Sequence, residues 1–299
     1  LGEAAFESEF AHEHPQAWHT AGLGSFQELR AAGFGTSATA CTLACLSAAR
    51  RTLLARLGWD FDADGLMGAP EIRVVLSETA HITVKKALRI LGFGMNRLHY
   101  AAVDAHGRID PARLPALDAR TLLILQAGEV NTGEFDRFAE LIPRAREAGA
   151  WVHVDGAFGL WARASSSAHL AEGVELADSW TSDGHKWLNT PYDSAMAICR
   201  DADALAAAMN SDAAYATASK DAQKNLTLEF SRRARGVAIW ACSRTASLEA
   251  WMVSMPAARE SAGLANFTGW PFKRSSPPSK GSAPASICAA ARPSTASAA

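Results

Sequence analysis

The sequence predicts an α/β protein in which a mostly parallel β-sheet is covered by helices. From about residue 36 to residue 194, short β-rich runs alternate with amphipathic helical runs, the order that builds such a sheet. Gly92, Gly94 and Gly149 stand where helices are expected to end. The 299 residues, 48% hydrophobic and 20% charged, suffice for one large core.

Six strands are predicted from runs of β-branched and other apolar residues, at 72–76, 97–100, 121–125, 151–154, 179–181 and 195–198. Four helices are predicted from apolar residues at helical spacing, at 42–57, 83–91, 135–148 and 201–209. These elements alternate along the chain, as expected where helices connect parallel strands.

The composition divides the chain into three parts. Residues 1–33 are expected to form an irregular N-terminal segment, and residues 34–240 the large domain. Residues 241–299 lose all periodicity and are dominated by Ser, Ala, Pro and Arg. Such a tail buries too little apolar surface to offset its ordering entropy, so we expect it to be degenerate and disordered.

Charge and cysteine content limit the class of partner. A net charge of −2, with both signs interspersed, creates no field that would attract nucleic acid or an anionic membrane, so a small-molecule partner is expected. The five cysteines are scattered, without the paired spacing of a zinc site, and no metal site is predicted. With no apolar run of about 18 residues and no signal-peptide pattern, we expect a cytoplasmic protein.

A lysine follows the strand predicted at 179–181, in the run SDGHKW at 182–187. Desolvation disfavours the charged ammonium, so a partly buried lysine can attack an aldehyde. This chemistry would let Lys186 form a Schiff base with an aldehyde cofactor. A lone lysine is more often a solvated surface residue. The neighbouring motifs favour a cofactor-binding lysine here.

Asp155 and His81 each follow a predicted strand, where ligands of open α/β sheets bind. A carboxylate at 155 could pair with a pyridine nitrogen and keep it protonated, although a strand-end Asp is also a common helix cap. The imidazole of His81 could stack on a cofactor ring, with a small residue such as Ala157 on the opposite face. Taken alone, a histidine at this place is more often an ordinary hydrogen-bonded residue near a helix start, and only the neighbouring motifs favour a site.

A turn of small residues at 35–42, GTSATACT, leads into the first predicted helix. Backbone N–H groups at a helix start, together with the Thr39 hydroxyl, could cradle a phosphate. Simple helix capping is the alternative for this turn.

Three motifs carry a resemblance to a known family. They are HVDGA at 153–157, DSWxxDxHKW at 178–187 and AHxTVxKA at 80–87. In this order and at these strand ends they resemble the group II pyridoxal-dependent decarboxylases, the aromatic-amino-acid and glutamate decarboxylase family, with the bacterial branch closest. The resemblance spans about 34–240. It implies the PLP-dependent transferase fold (fold type I, aspartate-aminotransferase-like), an incomplete C-terminal small domain, and a chain altered or truncated at both ends.

The resemblance also implies roles for individual residues around pyridoxal 5′-phosphate (PLP). Lys186 would be the Schiff-base lysine, Asp155 the partner of the pyridinium nitrogen and His81 the stacking residue. Ala157 would cover the other face of the ring.

Further residues are implied to bind the cofactor through its phosphate. Ala38, Thr39 and Asp183 would contact this group, and His185 would contact phosphate or substrate. The implied protein is a homodimeric amino-acid decarboxylase, a carboxy-lyase. An aminotransferase, an aldolase-type lyase and a catalytically inactive remnant stay open as alternatives.

Three positions depart from the family pattern. Ser37 replaces a family glycine, and Thr42 stands where many bacterial relatives have Asn. Glu129 stands where Asn or Thr is usual near the cofactor, and a carboxylate close to the phosphate would cost on the order of 1–4 kcal/mol. The reprotonating tyrosine of the family is expected around 213–229, where Tyr215 is found.

Overall fold

The computed structural model describes residues 31–210 and 222–245 of the 299-residue chain. Most of the N-terminal segment, Tyr215 and the tail from residue 246 lie outside the described residues, so the expectations for them stay predictions.

Seven strands form one mixed sheet, in the order β1-β7-β6-β5-β4-β2-β3. The strands are β1 (Ala31–Gly35), β2 (Arg73–Ser77), β3 (His99–Ala101), β4 (Thr121–Gln126), β5 (Trp151–Asp155), β6 (Ser179–Asp183) and β7 (Ala195–Cys199). The pairs β2–β3, β2–β4, β4–β5 and β5–β6 are parallel, and β7 is antiparallel to both β6 and β1. The prediction of a mostly parallel sheet is confirmed.

Helices connect the strands and pack on the sheet. They are α1 (Ala38–Arg56), α2 (Phe61–Asp64), α3 (Ile82–Ile90), α4 (Phe138–Glu147), α5 (Ala202–Met209) and α6 (Gly236–Thr245). Helix α1 begins four residues before the predicted start because Ser37 caps it, its hydroxyl accepting the Ala40 N–H at 3.3 Å. Helix α6 runs past residue 240, where the sequence analysis had ended the large domain. No helix in the described ranges is long and apolar enough to cross a bilayer.

The sequence analysis misjudged two strands. It missed β1, whose sequence AAGFG has weak β propensity and which forms through pairing with β7, from Ala31↔Cys199 to Gly35↔Ala195. The strand predicted at 97–100 begins only at His99, because Met95–Arg97 form a 3₁₀ turn.

The core lies on both faces of the sheet. On β4, Leu123 and Leu125 belong to the apolar cluster that includes α4, whereas Leu122 and Ile124 belong to the cluster that includes α1. Each of these side chains is at most 1% exposed, and burying one contributes about 1.5–3 kcal/mol. The continuous apolar run of β4 thus reflects a strand covered on both faces.

Strand β1 is bonded on its outer side by a side-chain amide. Phe34 N–H donates to Gln223 Oε1 at 2.9 Å, and Gln223 Nε2 donates to the Ala32 carbonyl oxygen at 2.8 Å. Gln223 is fully buried and adds two hydrogen bonds to this edge.

Candidate active site

A cleft lies at the carboxyl ends of β4 and β5, the edge at which ligands of open α/β sheets bind. Its lining residues come from four segments of the chain. They are His81, Gln126, Gly128, Val130, Asp155, Ala157, Phe158 and Lys186. Four of the predicted site residues, His81, Asp155, Ala157 and Lys186, are therefore brought together.

Three polar side chains at the strand ends lie on the same face of the sheet: Gln126, Asp155 and Asp183. Alternate residues of a strand point to the same face, so Gln126 follows Leu122 and Ile124, which pack in the cluster with α1. Asp155 lies opposite Gln126 in the register of β4 and β5. Asp183 on β6 also faces α1, since it accepts a hydrogen bond from Ala38.

Asp155 is a buried acid in the cleft. Its Oδ1 accepts the Ala157 N–H at 3.1 Å, and the residue is 8% exposed. Burial raises the pKa of the Asp155 carboxyl above its usual range, while the Ala157 N–H and the charges of Lys186 and His81 act in the opposite direction. The cleft thus holds a carboxyl that favours an interaction with a proton or a cation.

Lys186 is half-buried, between an acid and an aromatic ring. Its Nζ lies 2.9 Å from Asp183 Oδ2 and 4.2 Å from the centroid of the Phe158 ring. The side chain is 24% exposed, so the amine is reachable from the cleft but is not a free surface group.

His81 has a capping role as well as a place in the cleft. It is the N-cap residue of α3, and its Nδ1 accepts the Thr83 N–H at 3.4 Å and lies 2.6 Å from Thr83 Oγ1. His81 is therefore hydrogen-bonded at a helix start, as one reading of the sequence suggested, and it also lines the cleft.

The other four predicted site residues are Ala38, Thr39, Asp183 and His185, and they lie outside the lining of the cleft. Asp183 Oδ1 accepts the Ala38 N–H at 2.7 Å, which ties β6 to the first residue of α1. His185 Nε2 lies 3.6 Å from Asp183 Oδ2, and its Nδ1 lies 3.0 Å from the carbonyl oxygen of Ser194. Thr39 is half-buried in the first turn of α1. None of these four lines the cleft itself.

A network of buried polar side chains joins β5, β6 and α1 next to the site. Ser179 Oγ accepts the Trp151 Nε1–H at 3.0 Å and lies 2.9 Å from His153 Nδ1. Burial lowers the pKa of His153 to about 3, so this histidine is neutral and structural. Thr42 Oγ1 lies 3.3 Å from Thr181 Oγ1, which joins α1 to β6.

Glu129 is bonded within its own turn. Its carboxylate accepts the Asn131 N–H and the Thr132 N–H, each at 2.8 Å, and also bonds their side chains at 2.7 and 3.1 Å. The residue is 4% exposed. The carboxylate that departs from the family pattern therefore stabilises the turn that presents Val130 to the cleft.

The loop after Lys186 is tied to an arginine-rich run at 231–236. Asp193 accepts hydrogen bonds from Arg233 and, at 3.1 Å, from Arg235 Nη2. The ring of Tyr192 stacks on the ring of His185 with a centroid distance of 4.2 Å. These contacts fix the loop that carries the lysine.

The sequence analysis missed four residues of the cleft: Gln126, Gly128, Val130 and Phe158. The strand-end argument that selected Asp155 applies equally to Gln126 at the end of β4 and would have identified it. Phe158 and Val130 carry no local signal, because their place depends on the turns that follow β5 and β4.

Comparison with known proteins agrees with this geometry. Residues 21–263 match the family model described as the pyridoxal-dependent decarboxylase conserved domain. Among curated proteins, an aromatic-L-amino-acid decarboxylase of Bacillus atrophaeus is 30% identical over 185 residues, covering 56% of this chain and 38% of that protein. An aspartate 1-decarboxylase of Aliivibrio fischeri is 31% identical over 229 residues, covering 70% and 41%. The chain thus spans less than half the length of these relatives.

Solved structures give the same fold. Mouse CSAD superposes with a TM-score of 0.70 at 19% identity, covering 86% of this chain and 55% of that one. Oryza sativa TDC, crystallised with PLP and tryptamine, superposes with a TM-score of 0.66 at 23% identity, covering 87% and 62%. The fold is the PLP-dependent transferase fold that the sequence predicted. On the match of its residues 21–263, the chain belongs to the pyridoxal-dependent decarboxylase family.

Proposed function

We propose that this chain is the cofactor-binding part of a PLP-dependent amino-acid decarboxylase, a carboxy-lyase. The observation that carries the proposal is the single cleft lined by Lys186, Asp155 and His81. The donor set fits PLP, because an amine, a buried acid and a flat ring match its aldehyde, its ring nitrogen and its ring face. When bound, PLP supplies an electron-poor ring that stabilises the carbanion left after loss of CO2.

In this proposal Lys186 provides the amine that bonds the cofactor aldehyde. The chain keeps this amine close to the cleft through Asp183, at 2.9 Å, and the face of Phe158, at 4.2 Å. These two contacts place the amine at the wall of the cleft, within reach of a bound aldehyde.

Asp155 would hold a proton on the ring nitrogen. Its raised pKa reflects the cost of burying a lone carboxylate, and a cation placed beside it would remove much of that cost. His81 would lie against one face of the ring and Ala157 against the other. The methyl group of Ala157 leaves room for a flat ligand between the two.

The phosphate contacts are part of the same proposal. Ala38, Thr39, Asp183 and His185 would surround this group at the start of α1. Helix N-termini favour anions, because their first N–H groups lack partners within the helix. The hydrogen bond from Ala38 to Asp183 supports this assignment, since the helix start already binds one carboxylate.

Product analysis tests the reaction type. The purified chain would be incubated with PLP and with aromatic or acidic amino acids, and CO2, amine and keto acid would be measured. Release of CO2 and amine in equal amounts, lost in Lys186→Ala, supports the decarboxylase. Keto acid would indicate an aminotransferase. A protein that forms no absorbance band with PLP would identify an inactive remnant and contradict the proposal.

A cytoplasmic homodimer is proposed as the assembly. Apolar side chains next to the site residues are strongly exposed in the single chain: Ile82 at 74%, Tyr192 at 77% and Trp187 at 43%. A second copy covering them would remove apolar surface from water. The cysteines in the described ranges are unpaired, in keeping with a reducing compartment. Light scattering on the purified protein would test the dimer.

A further inference from the structure

Asp183 connects the start of α1 with Lys186. Its Oδ1 accepts the Ala38 N–H at 2.7 Å, and its Oδ2 lies 2.9 Å from Lys186 Nζ. The side chain is 4% exposed, so one buried carboxylate serves both groups. Under the proposed function, one group would receive the phosphate of PLP and the other its aldehyde.

The helix start favours an anion, and Asp183 is the anion that it binds. The first N–H groups of a helix lack partners within it, and the helix dipole places partial positive charge there. His185 lies on the other side of Asp183, with Nε2 3.6 Å from Oδ2. Its Nδ1 faces the Ser194 carbonyl at 3.0 Å, and since a carbonyl only accepts, Nδ1 carries the proton.

We propose that a phosphate arriving at the start of α1 releases Lys186 from Asp183. The Ala38 N–H cannot bond two anions at full strength, and a phosphate placed beside a buried carboxylate repels it. Losing this hydrogen bond frees the carboxylate to rotate, so Oδ2 leaves Nζ and the amine can turn into the cleft. The inference rests on the proposed function and adds that the phosphate controls the reactivity of the lysine.

The amine and the aldehyde then join by condensation. Lys186 gives its extra proton to solvent, and the Nζ lone pair attacks the aldehyde carbon. A C=N bond forms, and the aldehyde oxygen leaves as water. Asp183 is therefore a positioning residue: it determines when the amine is available and does not bond the aldehyde.

Supplying the aldehyde and the phosphate as separate molecules tests whether phosphate releases Lys186 from Asp183. Pyridoxal, which has the aldehyde but no phosphate, would be mixed with the purified full chain, and the absorbance band of the C=N bond followed with time. We expect inorganic phosphate to accelerate bond formation by about tenfold, equivalent to ~1.4 kcal/mol, and to do so saturably. Sodium chloride at matched ionic strength should have no such effect.

Asp183→Asn removes the charge that retains the amine. This variant should bond pyridoxal rapidly without phosphate and show little further acceleration with it. Asp62→Asn, which changes an exposed acid paired with Arg51, is the matched control and should respond like the wild type. Lys186→Ala should show no band.

The outcomes separate the inference from the proposed function. One outcome is that PLP bonds Lys186 in the wild type while phosphate leaves the rate of bond formation with pyridoxal unchanged or lowers it. In that case phosphate does not control Lys186, and the cofactor assignment stands. If PLP itself does not bond Lys186, both are wrong. The wild-type comparison does not depend on the folding of any variant.

Discussion

His81 Nδ1 lies 2.6 Å from Thr83 Oγ1, so the imidazole that lines the cleft also caps helix α3. Two variants separate these roles. Asn is a good cap residue without a stacking ring, and Ala has neither function.

We predict that His81→Asn keeps the free energy of unfolding within a few tenths of a kcal/mol, whereas His81→Ala loses about 1 kcal/mol. Both variants should bind PLP at least about tenfold more weakly, because both lack the ring. Denaturant unfolding and PLP titration measure the two effects. Normal PLP affinity in His81→Asn would contradict stacking.

Asp155→Asn should separate stability from activity. Burial raises the pKa of Asp155, so the ionised acid costs stability at pH 7 that a neutral amide avoids. We expect the free energy of unfolding to be unchanged or higher, while decarboxylation falls by about 100-fold or more because Asn cannot keep the ring nitrogen protonated. Loss of both stability and activity would assign Asp155 a structural role.

Asp136 is expected to dominate one part of the pH dependence of stability. It accepts the N–H groups of Ile109 and Gln126 at 2.7 and 2.8 Å, and burial raises its pKa to about 6. An acid with a raised folded-state pKa binds more protons when folded, so its contribution to stability falls as pH rises from about 4 to 6.

We predict that the stability of the wild type relative to Asp136→Asn falls by about 2 kcal/mol between pH 4 and pH 7. Urea unfolding of both proteins across this range measures the difference. The comparison is needed because His153, with its pKa lowered to about 3, acts oppositely and adds stability as pH rises toward 6.5. A constant difference would show that Asp136 does not titrate in this range.

Glu129→Ala should disorganise the turn that carries Val130. It removes the carboxylate that accepts the Asn131 and Thr132 N–H groups, and a hydrogen bond to a charged group contributes about 1.5–3 kcal/mol. We expect KM for the amino acid to rise more than kcat falls, since Val130 lines the cleft but carries no reacting group. Glu129→Gln keeps one carbonyl acceptor, so its KM should lie between those of the wild type and Glu129→Ala. Unchanged kinetics in Glu129→Ala would exclude a role for the turn in substrate binding.

Much of the sheet could be predicted from the sequence because β4 and β5 are apolar runs covered on both faces. Strand β1 could not, because its small residues become a strand only through β7, 160 or more positions away. In the cleft, Lys186, Asp155 and His81 follow strands and belong to motifs. The contact between Asp183 and Lys186 depends on the turn that brings residues i and i+3 together, which no residue pattern specifies.

Gln223 protects the edge of the sheet that β1 forms. Its amide imitates a short piece of an eighth strand, giving one acceptor and one donor to β1 from a fully buried side chain. A bare strand edge is a template for joining other chains, so the consequence of this bond concerns solubility more than catalysis. A chain altered here could retain its cofactor chemistry and still be lost from the cell through self-association.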